Sequence, residues 1–268
     1  MGEIKLSRQA IIDNLAAILP DFPYILAAWL GGSDASGRTD ALSDIDLQLV
    51  VEDDRVEDAL AQVHRCLEAL SPIAHRFRFP EPVWHGHSQE LLSLRDADPC
   101  HFLDLVVMKK SAPDRFLERE RHGEPLILFD RERILTPPPM DWPAHRDKMA
   151  RRLSVLREQF FLFQPLVDKA ARRGHTLDAL HAYVAATLRP LVEILRMRFC
   201  PERYDYGPRY LDRDLPADWQ AELERLALPA SLAQLAEFRA RAQEHFQAQL
   251  DAFERGEWRL PDPGGPPA

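Results

Sequence analysis

The feature that most restricts this chain is residues 136–143, TPPPMDWP, where four prolines fall within eight positions. Proline lacks a backbone N–H and locks φ, so neither a helix interior nor a central strand can run through such a stretch. A domain boundary is therefore expected there, and the hydrophobic period changes across it. Before it, apolar runs at residues 24–30 (YILAAWL), 45–51 (IDLQLVV) and 102–108 (FLDLVVM) have strand length, with helical patterns at residues 7–19 and 55–70. After it, apolar residues recur at three- and four-residue intervals: Met149, Leu153, Leu156 and Phe160, then Leu177, Leu180, Val184, Leu188 and Leu191. That period belongs to a helical bundle. The expected class is α+β: a small mixed sheet with helices over residues 1–138, an all-α bundle over residues 144–258, and a disordered tail over residues 259–268.

Local signals refine this outline. Ser7 reads as the start of the first helix and Pro20 as its stop. Residues 73–79 alternate apolar and basic, which predicts a strand with one wet face, ended by Pro80 and Pro82. Residues 90–94 and 126–129 are shorter strand candidates. In the second half Pro165 and Pro190 interrupt helical patterns and predict kinks or breaks. Two further helices are expected over residues 217–227 and 231–254.

Composition excludes several classes. With 46% hydrophobic and 29% charged residues the chain is an ordinary folded protein. The net charge of −9 has the wrong sign for a protein that grips nucleic acid through phosphates, so such a partner is not expected. All of the excess lies before residue 141, where 24 acidic residues face 15 basic ones; the remainder is neutral, with 19 of each. Cys66, Cys100 and Cys200 are far apart and form no CxxC, the usage of reduced thiols in a cytoplasmic protein. Charges at Glu3, Lys5, Arg8 and Asp13 break up any secretory segment, and no apolar run is long enough to span a bilayer as a helix.

The chemistry is concentrated in residues 31–51, GGSDASGRTDALSDIDLQLVV. A buried strand runs into Gly31-Gly32-Ser33, ten residues follow, and Asp44-Ile45-Asp46 opens the next strand. Side chains at i and i+2 of a strand project to one face about 6.5–7 Å apart, so Asp44 and Asp46 point together. Two carboxylates so placed repel unless neutralised, and a hard divalent cation with oxygen ligands suits them. Asp104 interrupts an otherwise apolar strand, where an unpaired charge is costly, and is the candidate third carboxylate. Glycine allows a backbone to approach a ligand closely. Exposed N–H groups at such a turn, with the Ser33 hydroxyl, suit phosphate oxygens.

With Gly32-Ser33, a ten-residue spacer, Asp44-Ile45-Asp46-Leu47 and a later Asp104-Leu105 strand, the first 130 residues or so resemble the nucleotidyltransferase superfamily related to DNA polymerase beta. The resemblance implies a polymerase-beta-like catalytic domain binding a nucleoside triphosphate, with ATP first among the candidates, and Mg²⁺ on Asp44, Asp46 and Asp104. It implies Gly32, Ser33 and Arg38 at the nucleotide. Arg38 lies two positions away from the arginine of the commoner Gly-Ser-x-Ala-Arg-Gly loop. Asp104 is either the third metal ligand or the general base. The helical second half is similar in layout to the antibiotic nucleotidyltransferases that modify aminoglycosides or lincosamides, which implies an acceptor site between the domains.

The resemblance thus implies transfer of a nucleotidyl group from a triphosphate to a hydroxyl of a small acceptor, with release of pyrophosphate. Two other readings stay open at this level: a protein or RNA acceptor, and a catalytically silent, antitoxin-like module. Glu90 is a candidate extra carboxylate, weighed against a plainly exposed one. His85, His87, Cys100 and His101 have no familiar metal-ligand spacing and read as a polar loop at the edge of the site.

Overall fold

A computed structural model of the chain describes residues 6–81 and 83–261. Glu3, Lys5, Pro82 and tail residues 262–268 lie outside the described residues. The chain divides into two compact units, Met1–Met140 and Asp141–Ala268. One carries a mixed sheet with helices and the other is helical, so the fold is α+β. No helix among the described residues is long and apolar enough to cross a membrane.

In the first unit, helix α1 (Arg8–Ile18) starts where Ser7 Oγ accepts the Ala10 N–H at 3.1 Å. Pro20 falls in a single 3₁₀ turn, Leu19–Asp21, that ends it. A one-turn helix α2 (Gly32–Ala35) follows the first strand, and α3 (Val56–Glu68) follows the second. The strands are β1 (Ile25–Leu30), β2 (Ile45–Val51), β3 (Ile73–Arg78), β4 (Ser88–Leu94), β5 (Leu103–Lys109) and β6 (Leu126–Asp130), in the order β3-β4-β5-β2-β1-β6. Only β2 and β5 pair in parallel; the other neighbours are antiparallel. A one-turn helix α4 (Arg119–His122) precedes β6.

Alternation along the central strands sorts side chains between two faces. Ile45, Leu47 and Leu49 of β2 and Leu103, Leu105 and Val107 of β5 join Ile11 and Leu15 of α1 and Leu60 and Val63 of α3 in one core. Val50, Val106 and Met108 lie on the other face with Trp29, under the cover of Leu117 and Leu135. That second cover is small and leaves the rest of its face available for chemistry.

Two strands depart from the sequence expectation. The edge strand β3 is wet along residues 74–77, on both faces rather than one. Phe77 stays exposed as the basic Arg76 beside it does, so alternation of residue type did not become alternation of burial. Strand β4 begins at Ser88, two residues before the expected start, and alternates strictly between buried and half-buried positions.

The second unit holds α5 (Trp142–Arg172), α6 (Thr176–Tyr183), α7 (Arg189–Phe199), the one-turn α8 (Leu211–Asp214), α9 (Ala217–Ala227) and α10 (Leu232–Glu254). Asp141 caps α5 by accepting the Ala144 N–H at 3.0 Å. Neither internal proline ends its helix. Pro165 sits inside the unbroken α5, while a π-turn at Val184–Leu188 links α6 to α7 just before Pro190. Pro190 has no N–H for the carbonyl of Ala186, four residues back. Gln164 of α5 supplies the missing donor: its Nε2 reaches Ala186 O at 2.9 Å and Phe160 O at 2.8 Å, and its Oε1 accepts from Thr187 Oγ1 at 2.8 Å. One buried amide therefore satisfies backbone groups of two proline-bearing helices. Stacking of Phe160 on Phe246, with ring centroids 3.7 Å apart, ties α5 to α10. The aromatic and basic loop at residues 203–210 is fastened by Arg196, which is fully buried, donates to the carbonyls of Arg203, Gly207 and Arg209 and pairs with Asp214 at 2.8 Å.

Candidate functional site

The parallel register sets Asp46 of β2 directly beside Asp104 of β5. Both sit on the sheet face opposite α1 and α3, since their neighbours Ile45, Leu47, Leu103 and Leu105 point into that core. Asp44 lies just before β2. Its carbonyl accepts from Arg8 Nη2 at 2.8 Å and Nε at 3.0 Å, and the same guanidinium forms a two-pronged ion pair with Asp34. Arg8 thus ties the first turn of α1 to both ends of the polar segment between β1 and β2. Sequence reading did not single it out, because nothing local distinguishes it from any other arginine near a helix start.

Gly31 closes the other side. Its N–H donates to Asp46 O at 2.9 Å, so the turn after β1 sits against the acidic strand. Gly32 has φ +50°, and a Cβ there would lie 1.7 Å from Asp46 Oδ2. Only glycine fits that contact. The next side chain, Ser33, has a buried Oγ with no hydrogen-bond partner. Buried hydroxyls are ordinarily satisfied, which sets this one apart. The turn is braced from behind where Glu124 N donates to Ala35 O at 2.8 Å. Arg38 is different: its backbone N–H bonds Ser33 O at 2.9 Å, but its side chain is exposed and makes no ion pair among the described residues.

The electrostatics follow from this crowding. Burial pushes the Asp46 carboxyl up to about 7, with Asp44, Asp104 and Asp34 adding repulsion and Arg8 opposing it. Asp44 is raised by burial against the pull of its own backbone N–H and of Arg8. Asp104 is raised by burial and by Asp44, while a hydrogen bond from Gln89 pulls it down. Three carboxylates that resist ionisation together leave a concentration of negative charge on this face of the sheet. Among the described residues no three His, Cys, Asp or Glu groups come close enough to enclose an ion by themselves. A Mg²⁺ ion is in general held through one or two carboxylates and completed by substrate phosphates rather than by an all-protein cage. Asp44 and Asp46, with the unpartnered Ser33 hydroxyl, are oxygen donors of the kind such an ion takes.

Glu90 is corrected on both counts: it is neither at the site nor exposed. It is completely buried on the α3 side of the sheet, with His64 Nε2 at 2.6 Å and Arg76 Nη2 at 2.9 Å. The residue that reaches the site from β4 is its neighbour Gln89, whose Nε2 donates to Asp104 Oδ1 at 2.8 Å and Oδ2 at 3.1 Å. The signal existed in the alternation beginning at Ser88, which sends residues 88, 90, 92 and 94 one way and 89 the other. A cleft enclosing about 300 Å³, partly open to solvent, adjoins Gly31 and Gly32 and is walled by Trp29, Gln48, Phe116 and His122. Gln48 Oε1 is buried there without a partner.

No family model matches the chain, and no curated protein matches it. Among solved structures it is similar to an aminoglycoside 6-adenyltransferase from Bacillus subtilis at 15% identity and a TM-score of 0.36, covering 96% of this chain and 94% of that one.

Proposed function

We propose that the chain is a Mg²⁺-dependent nucleotidyltransferase that moves a nucleoside monophosphate from a triphosphate, ATP first among the candidates, to a hydroxyl of a small acceptor. The observation that carries this reading is the pairing of Asp46 with Asp104 across β2 and β5, facing a glycine turn whose Ser33 hydroxyl is buried and unpartnered. Asp44 and Asp46 would hold the cation, which neutralises the phosphates and the charge that develops on them. Gly32 lets the turn lie against the Asp46 carboxylate and so close to the cation, and Ser33 Oγ donates to a phosphate oxygen. Asp104 would accept the acceptor's proton or complete the cation's coordination. Arg8 holds the backbone of Asp44 in place and offsets part of the acidic repulsion. Arg38, exposed and without an ion pair among the described residues, is the remaining contact for the triphosphate in this reading.

Calorimetric titration of Mg·ATP and of the other Mg·nucleoside triphosphates tests it. Wild type binds at least one in a metal-dependent way, and Asp44→Ala/Asp46→Ala loses that binding while keeping its fold by circular dichroism. Equal, metal-independent binding by both proteins, or no binding of any triphosphate by wild type, overturns the proposal.

A further inference from the structure

Asp104 is the end of a directed chain of hydrogen bonds. A carboxylate only accepts, so the Gln89 group facing both Asp104 oxygens is the amide NH₂. The Gln89 carbonyl is then turned to His85 Nε2, 3.2 Å away, which must donate to it. His85 Nδ1 in turn accepts the backbone N–H of His87 at 3.1 Å. With one ring nitrogen donating and the other accepting, His85 is the neutral Nε2–H tautomer. Its ring lies edge-on to the exposed Trp84 at 5.1 Å and to Phe116 at 5.6 Å between centroids. Every donor in the sequence His87 N–H, His85, Gln89 points toward Asp104.

We propose that Gln89 is a positioning residue for Asp104, held in a single amide orientation by His85. A lone buried carboxylate on β5 can rotate about its side-chain torsions. The two-pronged amide contact fixes the plane of the carboxylate, and His85 prevents the amide from flipping its oxygen onto Asp104, which would set like dipoles against each other. The assignment rests on the nucleotidyltransferase reading with Asp104 as a ligand of the cation, because it concerns the orientation in which that carboxylate meets the metal. It adds two residues outside the acidic motif, on a strand and loop with no sequence signature.

The test uses Mn²⁺ as a paramagnetic probe, titrated with ATP present into wild type, Gln89→Leu and His85→Phe, with Asp104→Asn as the reference. Removing the outer partner of a ligand carboxylate typically costs about 10–100-fold in metal affinity, and that loss is expected for Gln89→Leu. His85→Phe keeps the ring packing and should lose less. The double variant Gln89→Leu/Asp104→Asn should bind no worse than Asp104→Asn alone, as expected when one residue acts through the other. Nitrogen-15 NMR of the His85 ring supplies a readout independent of metal: wild type shows the neutral Nε2–H tautomer, and Gln89→Leu loses its preference. If wild type binds Mn·ATP and Gln89→Leu binds it equally, or if losses simply add in the double variant, the positioning role is wrong while the proposed function stands. If wild type binds no Mn²⁺, the proposed function itself fails and this role falls with it, whatever the His85 tautomer.

Discussion

Asp46→Asn separates the cost of the acidic cluster from its purpose. The Asp46 carboxyl is pushed from 3.8 to about 7, chiefly by burial and then by Asp44 and Asp104. A carboxyl whose folded-state value is raised binds its proton more tightly in the folded protein. Its contribution is therefore favourable at pH below the unfolded value and is lost as pH rises through 3.8 toward about 7. About three units at ~1.4 kcal/mol each give an upper figure of ~4 kcal/mol against the metal-free fold above pH ~7. Asparagine has nearly the same shape and no charge, but its amide also needs partners, so a gain of about 2–4 kcal/mol is expected from the substitution. Urea unfolding in EDTA at a series of pH values measures it. The variant should be more stable than wild type above pH ~7, with the difference shrinking toward pH ~4. Adding Mg²⁺ with ATP should stabilise wild type and leave the variant unmoved, by ordinary linkage. The reasoning is refuted if Asp46→Asn is no more stable than wild type in EDTA at high pH, or if its advantage does not depend on pH.

Gly32→Ala places a methyl group 1.7 Å from Asp46 Oδ2 at a positive φ, so triphosphate binding should be lost together with about 2 kcal/mol or more of stability. Calorimetry and urea unfolding check the two effects. Glu90→Leu breaks the buried contacts with His64 and Arg76 on the opposite face; stability should fall by about 2–4 kcal/mol while affinity for Mg·ATP stays within twofold, and a large affinity loss would put Glu90 at the site after all. Gln164→Leu strips the donor from the Ala186 carbonyl above Pro190, and thermal unfolding should show a loss of about 2–3 kcal/mol in the helical unit.

Several features were legible in the chain because they depend on near neighbours. The proline block at residues 136–143 stands where the two units divide, the change from strand-length to helical period appears on either side of it, and Ser7 caps α1 as its type suggests. The spacing that makes Asp44 and Asp46 a pair is also local. Pairing of β2 with β5 is not: residues 46 and 104 are far apart in sequence, and only the parallel register sets them side by side. The face of the sheet that each side chain meets was likewise decided by packing, which buried Glu90 against α3 and turned Gln89 toward Asp104. Prolines 165 and 190 were expected to break or kink their helices. Neither ended its helix; at Pro190 Gln164 and the π-turn meet the backbone's lost hydrogen bond through a contact between helices. Sequence by itself determined which residue types and periods were present, since propensity and capping act over a few residues. Tertiary structure decided which carboxylates share one volume of low dielectric, because burial and Coulomb repulsion depend on distance in space and not along the chain.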